Sequence, residues 1–89
     1  MRHYILEFTK QSEQEFLSFS NTIQIRIKKK MEFFLTSQNP LQYAKKLMGR
    51  ENHFRFRIGD YRIIVTKQHQ KTLIILVIIK IGHRSKIYE

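Results

Sequence analysis

The sequence predicts an α+β domain: an N-terminal strand and a helical hairpin packed on one face of a mainly antiparallel four-stranded sheet. Three observations predict it. Apolar residues recur at spacings of three and four between Ile23 and Leu35, the period changes to two from His53 onward, and residues 73–79 form an unbroken apolar run. That run is far below the roughly 20 residues a membrane span needs, so it reads as a buried strand. At 89 residues the chain suits one domain and is too short for two, so residues 1–89 are read as a single unit.

The elements follow in chain order. Residues 3–8 are mostly apolar and aromatic and read as the first strand. Thr9 can cap the next segment, and Ser12 with Glu15 three residues on is a second candidate cap. Phe16, Phe19 and Leu17 are candidates for the apolar face of a short helix. Ser20, Asn21 and Thr22 interrupt the chain, and Asn21 with Gln24 has the form of a capping box for a second helix. Ile23, Ile27, Met31, Phe34 and Leu35 give that helix one apolar stripe, with Arg26, Lys28, Lys29 and Lys30 read as its solvated side. A short link makes the two helices a hairpin.

Residues 37–40 end the second helix, and residues 41–48 are either one helical turn or an irregular crossing. In the following strand Phe54, Phe56 and Ile58 point one way and His53, Arg55 and Arg57 the other. Gly59-Asp60 signals a two-residue turn, residues 61–67 the next strand and residues 68–71 another turn. Residues 72–81 are apolar on both faces, which places them in the middle of the sheet. Two helices cover only one face of such a sheet. The other face must be basic, bound by a partner, or both.

Charge narrows the partner. Lys and Arg number 17 against 7 Asp and Glu, for a formal net charge of +10. An anionic partner follows: nucleic acid, an acidic membrane surface or an acidic protein. There is no cysteine, which excludes disulfides and thiolate metal sites. His3, His53 and His69 are scattered without metal-site spacing, so no metal and no cofactor are expected. Glu51 and Asp60 are the only acidic residues between Glu32 and Glu89, which speaks against a two-carboxylate hydrolase or a two-metal nuclease. No glycine-rich phosphate loop or Ser/His/Asp pattern is present. The first ten residues lack the roughly 7–15-residue apolar core of a signal peptide, so a soluble, cytoplasmic protein is expected, with no membrane or small-molecule partner.

A basic cluster is the candidate site. Arg55 and Arg57 share a strand face, Arg62 follows the turn in an otherwise apolar strand, and His83-Arg84 follow the last strand with Tyr88 four residues beyond Arg84. An antiparallel meander can bring them to the face the helices leave open. The planar arginine fork suits phosphate through paired, charge-assisted hydrogen bonds. A charge at Arg62 is costly in an apolar strand unless something compensates it.

Residues 54–64, FRFRIGDYRII, followed by residues 76–81 and then Gly82-His83-Arg84-Ser85-Lys86-Ile87-Tyr88, resemble the RelE/ParE toxin superfamily of type II toxin–antitoxin systems. The order upstream, a strand, a helical hairpin and then Lys46-Leu47-Met48-Gly49 leading into the sheet, is similar too. The resemblance covers nearly the whole chain and implies the RelE-like fold. It implies an mRNA interferase, cutting mRNA in the ribosomal decoding site, with Arg55, Arg57, Arg62, Arg84 and Tyr88 as its site. The ParE-like members inhibit DNA gyrase on the same fold, so fold alone leaves both open. A non-catalytic nucleic-acid-binding module is a third reading. Some relatives carry a glutamate before the sheet as general base, which residues 40–47 lack here.

The expected reaction is attack of a ribose 2′-hydroxyl on the adjacent phosphate. Arg62 and Arg84 would hold the phosphate, and Arg55 and Arg57 the RNA backbone. His83 or Tyr88 would transfer a proton to the leaving oxygen. The expected partners are mRNA on the ribosome and a cognate antitoxin, acidic and partly disordered when free.

Overall fold

The helical stripe and the two-residue alternation resolve into two layers in the computed structural model, which describes residues 3–87. Strand β1 (His3–Phe8) leads into α1 (Lys10–Leu17) and α2 (Asn21–Leu35). A 3-10 turn at Pro40–Tyr43 is followed by β2 (Ala44–Lys46), β3 (His53–Ile58), β4 (Tyr61–Gln70) and β5 (Leu73–His83). The five-stranded sheet has the order β1-β5-β4-β3-β2. β1 runs parallel to β5 and the other pairs are antiparallel.

The expected four strands are thus five. The extra one is β2, whose Ala44, Lys45 and Lys46 pair with Phe56, Arg55 and Phe54. Three residues with two lysines show no period, so this edge strand exists through its partner. β5 is interior, as its two apolar faces require, but β4 holds the centre. The turn expected at residues 68–71 is shorter, because β4 extends to Gln70 and Lys71 closes the connection with φ 56.

Each helix start has a side-chain cap, because the first N–H groups of a helix lack partners. Thr9 caps α1: its Oγ1 accepts from the Ser12 backbone N–H at 3.1 Å, and Ser12 Oγ accepts from the Thr9 N–H at 3.0 Å. Ser12 and Glu15 do more than cap. Pairing of β1 with β5 stops at Phe8 and Ile78. There Ser12 Oγ donates to the Ile78 carbonyl at 2.6 Å, and Glu15 Oε1 accepts from the Ile81 N–H at 3.1 Å. These side chains satisfy the β5 edge that β1 leaves behind. In α2 the cap is Ser20, one residue before the expected Asn21. Gln24 reaches back to the Phe19 carbonyl at 2.8 Å, so it fastens the interhelical link and does not complete a capping box.

Ile27, Met31 and Phe34 of α2 pack on Phe56, Ile58, Ile63, Val65, Ile74, Leu76, Ile78 and Ile81. Phe34 stacks between Tyr43 and Phe56, with ring centroids 4.7 and 5.3 Å away. Phe16 and Phe19 join this core, whereas Leu17 stays 59% exposed.

A β-bulge sets which β5 residues face which way. Lys80 pairs with Ile64, but Ile78 pairs with Val65, leaving Ile79 as the extra residue. Ile81 and Ile78 therefore both face the helices. On the opposite face, the side chains in register are Arg55, Ile64 and Lys80. Ile64 is buried there although it faces away from the helices. Among the described residues, no helix is long and apolar enough to cross a membrane.

Candidate functional site

The β3–β4 hairpin builds the site. Gly59 at φ 56 supplies the left-handed residue at the first turn position, and Asp60 the second. The register then sets Arg57 opposite Arg62, and Arg55 opposite Ile64, all on the face without helices. Like charges directly opposite each other destabilise a strand pair, so this rung carries a cost that the fold itself does not need.

Arg62 sits at the focus. Its Nη1 donates to the carbonyls of Gly59 and Tyr61, both at 3.1 Å, so the guanidinium curls over the turn. Partial burial and then the charges of Arg57, Arg55 and Arg84 hold its pKa below the usual arginine value, while Asp60 acts the other way. The residue across from Arg62 on β5 is Gly82, which puts no side chain in the way.

Arg84 reaches the cluster from the end of β5, which lies beside the same turn. Its backbone N–H donates to the Asp60 carbonyl at 2.7 Å, and its Nε lies 3.6 Å from Asp60 Oδ1. Asp60 thus docks the chain leaving β5 onto the hairpin turn. Ile87 then comes over Gly82: a Cβ built on that glycine would lie 3.8 Å from the Ile87 Cβ. Tyr88 lies outside the described residues.

The structure therefore brings together Arg55, Arg57, Arg62 and Arg84, and it separates His83 from them. His83 is in register with Tyr61, whose ring it meets edge-on at 5.5 Å on the helix-covered side of the sheet. Alternation decides this: Gly82 shares the face of Arg62, so His83 must take the other. Its Nδ1 accepts from the Ser85 backbone N–H at 3.2 Å and lies 2.8 Å from Ser85 Oγ. A backbone N–H can only donate, so the neutral ring carries its proton on Nε2. His83 braces the turn that carries Arg84.

Two contributors escaped the sequence reading. Asp60 was legible only as a turn residue, and its hold on Arg84 depends on the two strand ends meeting in space. Arg26, read as part of a solvated helix side, lies against Gly59. Among the described residues no group of three His, Asp or Glu side chains could hold a metal ion.

Two helices on one face of a five-stranded, mainly antiparallel sheet are a fold that solved toxin structures share. The toxin–antitoxin complex RelBE2 of Mycobacterium tuberculosis matches with a TM-score of 0.70 at 24% identity, covering 97% of each chain. The RelB–RelE complex of Methanococcus jannaschii matches with a TM-score of 0.66 at 27% identity over 92% of this chain and 94% of that one. The isolated Escherichia coli RelE toxin matches with a TM-score of 0.65 at 19% identity over 90% and 83%. Among curated proteins none matches significantly. The model of the family described as ParE toxin of type II toxin-antitoxin system, parDE, matches residues 6–88. The chain belongs to this family, within the RelE/ParE superfamily, and is a toxin of a type II toxin–antitoxin system.

Proposed function

We propose that the chain, as one domain, is a metal-free endoribonuclease that cuts mRNA on the ribosome in the cytoplasm. The observation that carries this is the arginine rung: Arg57 and Arg62 face each other with Arg55 and Arg84 in the same field. Such an arrangement is costly until a polyanion enters. The ribose 2′-oxygen attacks the neighbouring phosphorus, and the bond to the 5′-oxygen breaks. A 2′,3′-cyclic phosphate and a 5′-hydroxyl result. One proton leaves the 2′-hydroxyl and one must reach the departing oxygen.

Arg62 and Arg84 stabilise the charge on the phosphorane, and Arg55 and Arg57 hold the adjoining backbone and ease loss of the 2′-proton. His83, turned to the other side of the sheet, acts by positioning Arg84. Tyr88, next after Ile87, is then the candidate proton donor. With no carboxylate among these groups, orientation of the RNA by the ribosome makes up part of the rate.

The partner is an antitoxin, acidic and partly disordered when free, which wraps the basic surface and folds on contact. Support comes from the solved relatives of Mycobacterium tuberculosis and Methanococcus jannaschii, which are toxin–antitoxin complexes. Primer extension on an mRNA translated in vitro with the purified protein tests the activity. Cuts within translated codons are expected. Intact RNA together with trapped gyrase–DNA cleavage complexes would select gyrase inhibition, the activity the family's ParE name brings with it.

A further inference from the structure

Arg26 belongs to α2, on the helix side of the sheet, yet its guanidinium reaches the β3–β4 turn. A Cβ built on Gly59 would lie 2.6 Å from Arg26 Nη2 and 3.1 Å from its Cζ. The guanidinium therefore lies against the glycine, with Nη2 nearest. From the opposite side, Arg62 Nη1 donates to the carbonyl of the same Gly59 at 3.1 Å. One glycine thus separates two arginines that come from the two faces of the sheet. Next to it, Asp60 holds Arg84.

Arg26 makes no hydrogen bond or ion pair among the described residues, although Asp60 directly follows the glycine it lies against. A guanidinium parked on a turn without a partner retains its donors for a ligand. A polyanionic strand lying on Arg55, Arg57 and Arg62 reaches the end of the sheet at this turn. Arg26 is the cation it meets on crossing to the helix side.

We infer that Arg26 is a binding residue for a phosphodiester flanking the scissile one, and that the RNA strand leaves the arginine face over the Gly59-Asp60 turn. This rests on the reading of that face as an RNA site. Gly59 has two reasons to be glycine: its left-handed φ, and the seat it gives Arg26. Asparagine tolerates the first condition but collides with the second.

The experiment measures binding of fluorescently labelled 2′-O-methyl RNA, which cannot be cleaved, as a trimer and as an octamer over a range of salt. For the octamer, Arg26→Ala should reduce the log–log salt slope by about 0.7, one phosphate contact on a single strand. For the trimer it should change nothing, because the flanking phosphate is missing. Gly59→Ala, which pushes the Arg26 guanidinium aside while keeping its charge, should weaken octamer binding in the same direction; its melting curve checks that it is folded. Lys29→Ala, an exposed lysine of the same helix, should leave the slope unchanged.

If Arg62→Ala lowers the slope and Arg26→Ala does not, the inference fails and the RNA site stands. An equal effect of Lys29→Ala would show only the diffuse charge of α2 and would also overturn it. Absence of salt-dependent binding by the wild type, with Arg62→Ala no different, removes the RNA reading and the inference with it.

Discussion

Arg57 and Arg62 face each other across β3 and β4, and under the proposed function the rung they form links stability to activity through opposite signs. Replacing Arg62 by alanine removes a like-charge pair and a partly buried cation. The expected outcome is a variant that melts higher than wild type and no longer arrests growth when expressed. Losing one such transition-state donor costs about 10²–10³ in rate, and Arg84→Ala should behave alike in activity. A fully toxic Arg62→Ala or Arg84→Ala protein at equal expression would refute the assignment. The pH dependence follows from the sign of the shift. A cation whose pKa is lowered by folding destabilises the fold at every pH below that lowered value, and the penalty lifts only as pH rises toward the ordinary arginine range. Between pH 6 and 8 this rung therefore contributes no slope. Salt and bound anions relieve it instead, which a melting series in sodium phosphate against sodium chloride would show.

At the scale of the elements, the meeting of α1 with β5 is the joint to test. Glu15 Oε1 accepts from the Ile81 N–H, the strand group that β1 stops short of pairing. Glu15→Ala leaves that donor unpaired and should cost about 1–3 kcal/mol, whereas Glu15→Gln keeps an acceptor and should cost less. Urea unfolding of both variants checks the order. The β4–β5 turn offers the reverse effect: Lys71 is held at φ 56, a conformation that costs a side-chain-bearing residue roughly 1–2 kcal/mol. Lys71→Gly recovers part of this, less the extra freedom glycine gains in the unfolded chain. A small rise in melting temperature is expected. Phe34, stacked between Tyr43 and Phe56, ties α2 to both the 3-10 turn and the sheet. Phe34→Ala should cost about 3–5 kcal/mol, a large share of what a domain this size has.

Over the whole molecule, a net charge of +10 is spread on both sides of the sheet, with the arginine cluster on one and the lysines of α2 on the other. An acidic antitoxin that covers such a surface associates by electrostatic steering, so its on-rate should fall steeply with ionic strength while the dissociation rate changes little. Stopped-flow mixing at two salt concentrations measures both. Salt-independent association would point to an apolar interface instead.

The α2 stripe, the alternation at residues 53–58, the Gly59-Asp60 turn and the arginine face were all legible in the sequence, because each depends on a period or on a residue's own backbone preference. Arg55, Arg57 and Arg62 could be placed together for the same reason: a two-residue turn sets the register of the strands it joins. What only the tertiary structure decided lies where contacts are distant in sequence. The Ile79 bulge changes which β5 residues face the helices, and an unbroken apolar run shows no trace of it. β2 is a strand only because β3 lies beside it. His83, adjacent in sequence to Arg84, faces away from the cluster because alternation along β5 outweighs proximity in the chain. Arg26 joins the hairpin turn because α2 crosses the sheet where a glycine leaves room for it. Local periodicity thus determined the elements and most of the basic face, and long-range packing determined the sides on which the remaining charged groups fall.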